Sequence, residues 1–271
     1  MFGVWSPDED VATLAYFGLY ALQHRGQESA GIAVSDGARI VVFKDMGLVP
    51  QVFNAPVLST LRGYIAVGHC RYSTSGSSVW HNAQPTFRTT PSASLALGHN
   101  GNLINTLELA ALVRASAGAG GQATGGLPEA TSDTDVLTAL FTLPADGESR
   151  GIEAGAIAAL PLVRGAYSLV FMDERTLYAA RDPQGFRPLV LGRLERGWVV
   201  ASETAALDIV GASFVREIEP GELITIDERG LRSRTFARPQ PKGCLFEYVY
   251  LARPDTAIAG RSVQEIGRAH V

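Results

Sequence analysis

Apolar positions recur at helical spacing from Val11 through Leu14, Ala15, Leu19 and Leu22, which predicts a helix running to about Gln23 with Gly26 as its stop. Ahead of it, Ser6-Pro7-Asp8-Glu9 supplies an N-cap, a proline at the first helical position and an acid at the third, so the helix is expected to start there. The pattern then changes to short apolar runs. GIAVS (31–35) and RIVVFK (39–44) flank Asp36-Gly37, a hairpin signal. Further strands are expected at 64–72, 94–101, 167–172, 176–181, 188–194, 197–202, 214–218 and 222–227, most of them bounded by Gly, Pro or Asp. Helical segments are expected near 55–61, 105–115, 134–142, 152–162 and 204–210. Strands outnumber helices and tight turns join many of them. That balance argues for an α+β layered sandwich of antiparallel sheets with helices on the outer faces, rather than a doubly wound parallel sheet. Residues 115–126, ASAGAGGQATGG, have little to bury and read as a surface loop.

The composition narrows the classes. With 271 residues, 46% of them hydrophobic and 18% charged, the chain suits one large domain or two small ones. Lys and Arg number 23 against 27 Asp and Glu, a net charge of -4, and the basic residues are scattered; a nucleic-acid partner is disfavoured. No apolar run reaches the roughly 20 residues that cross a bilayer, and MFGVWSPDED has no basic start or apolar core, so no membrane association is expected and the cytoplasm is the expected location. The two cysteines, Cys70 and Cys244, lie far apart without metal-ligand spacing, which argues against a disulfide framework or a self-sufficient zinc site.

Four polar clusters interrupt this apolar background: His24-Arg25-Gly26-Gln27-Glu28, His69-Cys70-Arg71-Tyr72-Ser73-Thr74, Gly98-His99-Asn100-Gly101-Asn102 and Ser132-Asp133-Thr134-Asp135. Each has a plain explanation by itself. Arg71 suits a structural ion pair, Asn100-Gly101 a turn, Ser132-Asp133 a helix cap, and Cys70 a small buried hydrophobe. Buried polar groups need partners, however, and four such clusters at element ends fit one shared pocket better than four separate cores.

Taken in order, HRGQESAG, HCRYST, GHNGNLIN and SDTD resemble the class II glutamine amidotransferase family. The resemblance implies the N-terminal-nucleophile hydrolase fold, a four-layer αββα sandwich of two antiparallel sheets. It also implies a cysteine nucleophile at the mature N-terminus whose own α-amine is the general base. Carried onto this chain, Arg71 would bind the carboxylate of L-glutamine and Asp133 its ammonium, while Asn100 and the backbone N–H of Gly101 would form the oxyanion hole. Thr74 and Ser75 would line the pocket, and Arg25 and Gly26 would support its entrance. Within the family HRGQESAG is nearest the amidophosphoribosyltransferase branch, and RDPQGFRPLVLG, VASETAALDIVGA, REIEPGELITI and CLFEYVYLARPD extend that likeness over about residues 2–264. Complete members of that branch would pass ammonia to phosphoribosyl pyrophosphate, forming 5-phosphoribosylamine in purine synthesis. They imply Mg, a homo-oligomer and, in the iron–sulfur members, a [4Fe–4S] cluster with Cys244 as one ligand; a fragment with one such cysteine would hold no cofactor of its own.

The chain departs from the branch at both ends. Members begin Cys-Gly-Val/Ile-Phe-Gly-Val/Ile-Trp, whereas this chain begins Met1-Phe2-Gly3-Val4-Trp5, with Met1 where the branch has Val. The expectation is a start codon misread at that valine, leaving a polypeptide without its nucleophile and without glutaminase turnover; the alternative is a pseudoenzyme. The domain boundaries expected are 1–240 for the glutaminase domain, lacking its first residues, 241–264 for the junction to a truncated phosphoribosyltransferase domain, and 265–271 for a non-native tail. Two other functions remain open at this point: a non-catalytic glutamine-binding module, or another class II amidotransferase with a different acceptor.

Overall fold

The computed structural model describes residues 1–72, 77–91, 93–119, 131–143 and 151–268. The first sheet is built from β1 (Phe2–Trp5), β2 (Ser29–Ser35), β3 (Ile40–Met46), β4 (Ile65–Arg71), β9 (Val190–Leu194), β10 (Gly197–Ala201) and β11 (Ser213–Glu217), ordered 11-9-10-1-4-2-3. The second holds β5 (Thr86–Thr89), β6 (Ser94–Leu103), β7 (Gly165–Met172), β8 (Leu177–Arg181), β12 (Glu222–Asp227) and β13 (Gly230–Thr235), ordered 13-12-8-7-6-5. Every pairing in both sheets is antiparallel.

Helices cover the outer faces. On the first sheet lie α1 (Val11–Ala21), α2 (Val49–Val52) and α7 (Ala205–Ile209), with α3 (Ala55–Thr60) following α2. On the second lie α4 (Thr106–Ala119), α5 (Asp133–Phe141) and α6 (Ile152–Ala159). The last described element is α8 (Val263–Arg268). The period-two pattern of the strands makes three cores. Phe2, Val4, Ala30, Ile32, Val34 and Ala66 face α1, whereas Ala33, Ile65, Val67, Ala96, Val170 and Ala179 meet between the sheets, and Leu95, Leu97, Leu169 and Phe171 face α5 and α6. This is the expected α+β sandwich with helices outermost. Close approach fixes the layers: a Cβ on Gly18 of α1 would fall inside the Phe2 ring of β1. Among the described residues no helix is long and apolar enough to cross a membrane.

Several boundaries differ from the sequence expectation. The cap of α1 is Asp10, whose Oδ1 accepts from the Thr13 amide at 3.2 Å, while Ser6 Oγ donates to the Arg196 carbonyl at 3.0 Å instead. The proline pattern at Ser6 therefore marks the loop that enters the helix. The helix α4 runs on into the small-residue stretch as far as Ala119, where alanines serve a helix well; residues 120–126 lie outside the described residues. Residues 265–268 are helical, as part of α8, and 269–271 lie outside the described residues. Strands β1, β5 and β13 were not foreseen: the first two have four residues each, and Gly230–Thr235 carries alternating charge and hydroxyls rather than apolar residues.

Candidate active site

Alternation along β4 sets the first site residues. Ala66 and Cys70 point to α1, and Ile65 and Val67 point between the sheets, so His69 and Arg71 point inward as well, beyond the end of the interlayer core. There a pocket of about 360 Å³ opens, lined by Met1, His69, Arg71, Asn100, Gly101 and Asp133 among others. Three separate elements, β4, β6 and the first turn of α5, thus bring Arg71, Asn100-Gly101 and Asp133 together.

Arg71 is 4% exposed; its Nη1 donates to the Ser77 carbonyl at 3.3 Å and lies 3.5 Å from Glu28 Oε2. On β6, Asn100 shares the face of Ala96, toward the first sheet, and its Nδ2 is buried with no hydrogen-bond partner among the described residues. The next residue is glycine for a steric reason: at φ +150° a Cβ on Gly101 would run into the Ala166 carbonyl of β7. Asp133 opens α5 directly after its cap, Ser132, which accepts from the Asp135 amide at 3.2 Å. Its Oδ2 accepts from the Leu103 amide at 3.3 Å, and its Oδ1 lies 3.7 Å from His99 Nδ1. Burial works to raise the Asp133 carboxyl, but the contact with His99 and the Leu103 and Thr134 amides hold it below the ordinary aspartate value.

Arg25 and Gly26 also line the pocket, and the structure gives them distinct parts. The Arg25 guanidinium is engaged by two buried acids, pairing with Glu203 Oε1 through Nη1 and with both Glu247 oxygens through Nη2 at 2.9 and 3.0 Å. The same acids hold His24 at 2.8 Å and Arg187 at 2.9 Å. Arg25 therefore braces the wall through a charge network instead of turning its charge to the cavity. A Cβ on Gly26 would lie 2.5 Å from the Cys70 carbonyl oxygen, so glycine is what lets this loop lie against β4. Thr74 and Ser75 lie outside the described residues.

Cys70 is among the residues lining the pocket and Cys244 is not. Cys70 Sγ donates to the Leu19 carbonyl at 3.6 Å on the α1 side, and burial pushes its thiol up to about 12. Cys244 lines a second cleft of about 480 Å³ with Arg181, Glu217 and Lys242. Among the described residues no group of three or more His, Cys, Asp or Glu side chains could hold a metal ion. A [4Fe–4S] cluster takes four thiolates, and the free cysteines among the described residues are Cys70 and Cys244. His69 and His99 stand in the polar clusters of the sequence without an assigned role, and Gln84 lies outside those clusters; all three line the pocket. Gln84 stands in an unremarkable stretch, Asn82-Ala83-Gln84-Pro85, and no local signal would have found it.

The glutamine amidotransferase domain family matches over residues 69–209. That span takes in Arg71, Asn100, Gly101 and Asp133 and covers more than half of the chain. The chain belongs to the glutamine amidotransferase domain family. It is similar to the amidophosphoribosyltransferase of Mycobacterium tuberculosis, with 62% identity over 99% of this chain and 51% of that protein. It is likewise similar to the amidophosphoribosyltransferase of Bacillus subtilis, with 39% identity over 97% of the chain and 53% of that protein. The solved glutamine phosphoribosylpyrophosphate amidotransferase of B. subtilis superposes with a TM-score of 0.86 at 38% identity, over 97% of this chain and 55% of that one. The chain spans about half the length of the curated relatives it matches.

Proposed function

We propose that this domain hydrolyses L-glutamine to glutamate and ammonia. The observation that carries the reading is the convergence of a cation, Arg71, an anion, Asp133, and an unpartnered amide donor, Asn100 Nδ2, on one pocket. A free amino acid presents the complementary charges. Arg71 takes the α-carboxylate as a planar two-pronged donor, Asp133 accepts from the α-ammonium, and the side-chain amide reaches Asn100 and Gly101. Buried donors held where charge develops stabilise the tetrahedral oxyanion without reorganising.

The nucleophile follows from strand register. In the β1–β4 pair Phe2 faces Gly68 and Gly3 faces Val67. Carrying that register two positions ahead of Met1 brings a residue beside Arg71, with its side chain on the same inward face as Met1. A cysteine there, the residue of this family's resemblance, would stand at the substrate amide. Its α-amine would serve as base. Burial chiefly lowers the Met1 α-amine, which lines this pocket, to about 5. Met1 itself has no ionisable thiol, and neither Cys70 nor Cys244 stands in for one.

The names of the relatives support a wider reading for the complete protein. Ammonia would pass to phosphoribosyl pyrophosphate and form 5-phosphoribosylamine, in the cytoplasm and in purine synthesis. Ammonia release from L-glutamine tests the core of this. The chain beginning at Met1 is expected to be silent, and the chain carrying Cys-Gly ahead of Met1 is expected to turn over. Asn100→Ala in the extended chain should then lower the rate about 100- to 1000-fold. Turnover from the Met1 chain would overturn the assignment of the nucleophile. An extended chain that binds L-glutamine but stays silent would favour a glutamine-binding module.

A further inference from the structure

Behind Asp133 lies a set of buried groups that the reaction itself does not use. The His99 amide donates to Gln84 Oε1 at 2.7 Å, which leaves the other end of that amide, Nε2, as a donor to Thr134 Oγ1 at 3.1 Å. The Thr134 hydroxyl in turn donates to Asp133 Oδ1 at 3.4 Å. His99 Nδ1 lies 3.4 Å from Thr134 Oγ1 and 3.7 Å from Asp133 Oδ1, so its proton belongs on Nδ1. His69 closes the set by donating from Nε2 to the His99 carbonyl at 2.9 Å. His99 is 4% exposed, Gln84 8% and Thr134 1%, so these bonds are shielded from water. From the His99 amide through Gln84 and Thr134, each donation is handed on toward the carboxylate.

We infer that His99, Gln84 and Thr134 are positioning residues for the substrate's ammonium: a one-way hydrogen-bond relay that fixes the Asp133 carboxylate at the pocket wall. The relay stands on its own geometry and rests on the glutaminase reading only for the identity of the cation it serves. Its His99 member, with the Leu103 and Thr134 amides, lets an acid in a largely buried place keep its charge. The charged and titratable groups disposed around it are His99 on β6, His69 and Arg71 on β4, Arg25 and Glu28 on the loop after α1, and Asp135 on its own helix, which accepts from Thr131 at 3.1 Å. His99 Nδ1 lies 3.7 Å from the Asp133 carboxylate.

The test compares the chain with His99→Leu, which removes the donor, and His99→Asn, which restores one at nearly the same place. Carbon-13 NMR follows the titration of the Asp133 carboxyl, and calorimetry follows L-glutamine binding. His99→Leu is expected to raise the Asp133 midpoint by roughly one pH unit and to weaken L-glutamine about tenfold, and His99→Asn to recover both. An unmoved midpoint in His99→Leu, or His99→Asn no better than His99→Leu, would overturn the relay. Should His99→Leu fail to fold, Thr134→Val removes one hydroxyl and should move the midpoint in the same direction; an unmoved midpoint there overturns it equally. Titration as expected with no glutamine heat from the parent chain sinks the glutaminase reading and leaves the relay standing.

Discussion

At the residue scale the account turns on buried ionisable groups, and their environments give the chain an acid-labile side. Burial acts to raise the Glu203 carboxyl, yet His24 and Arg25 hold it down to about 2 from 4.5. A depressed acid stabilises the fold fully above its unfolded value and loses that contribution as pH falls toward the folded one. His69 works in the same sense. Burial keeps it well below 6.5, so the unfolded chain takes up that proton first and stability declines once pH drops under about 6.5. The melting temperature is therefore expected to fall from pH 7 to pH 3, and Glu203→Gln to lower it at pH 7 while flattening the slope below pH 4.5. The Glu203 share is on the order of 3 kcal/mol. Calorimetric melts across pH decide this; equal slopes for the two proteins would remove Glu203 from its place. Arg71, Asn100 and Asp133 were legible in the sequence because each sits in a short polar run that breaks an apolar strand or opens a helix. The part played by Arg25 was not, since its partners Glu203 and Glu247 lie about 180 and 220 residues away and only the folded sheet brings them near.

At the element scale the periodicities did most of the work. Six predicted helical segments and ten predicted strands lie where the structure has them, because their apolar spacing agrees with the faces they bury. The misses have local causes. Pro7 and Glu9 resemble a capping box, but the backbone becomes helical only at Val11, and the cap bond comes from Asp10. Asp10→Ala is accordingly expected to cost about 1 kcal/mol in a denaturant melt, and Glu9→Ala less than about 0.5 kcal/mol. The reverse order would place the start of α1 at Ser6 after all. Strand β13 escaped notice because its exposed, charge-bearing residues pair with β12 at the sheet edge, where apolar patterning is not required.

At the scale of the whole molecule, the sandwich explains why the site lies where it does. Ile65 and Val67 close the interlayer against Ala96 and Val170, and the same strands run on past that core with His69, Arg71 and Asn100. The helices outside the second sheet then deliver Asp133 from the far side. Layering could be expected from the alternation of apolar residues, but strand order and the distances across the pocket depend on pairing between strands far apart in sequence. The most direct measurement of the central claim is a crystal structure of the chain with L-glutamine. The account places the carboxylate on Arg71, the ammonium on Asp133 and the side-chain amide at Asn100 and Gly101. Glutamine bound in another cavity, or turned so that its ammonium meets Arg71, would contradict it.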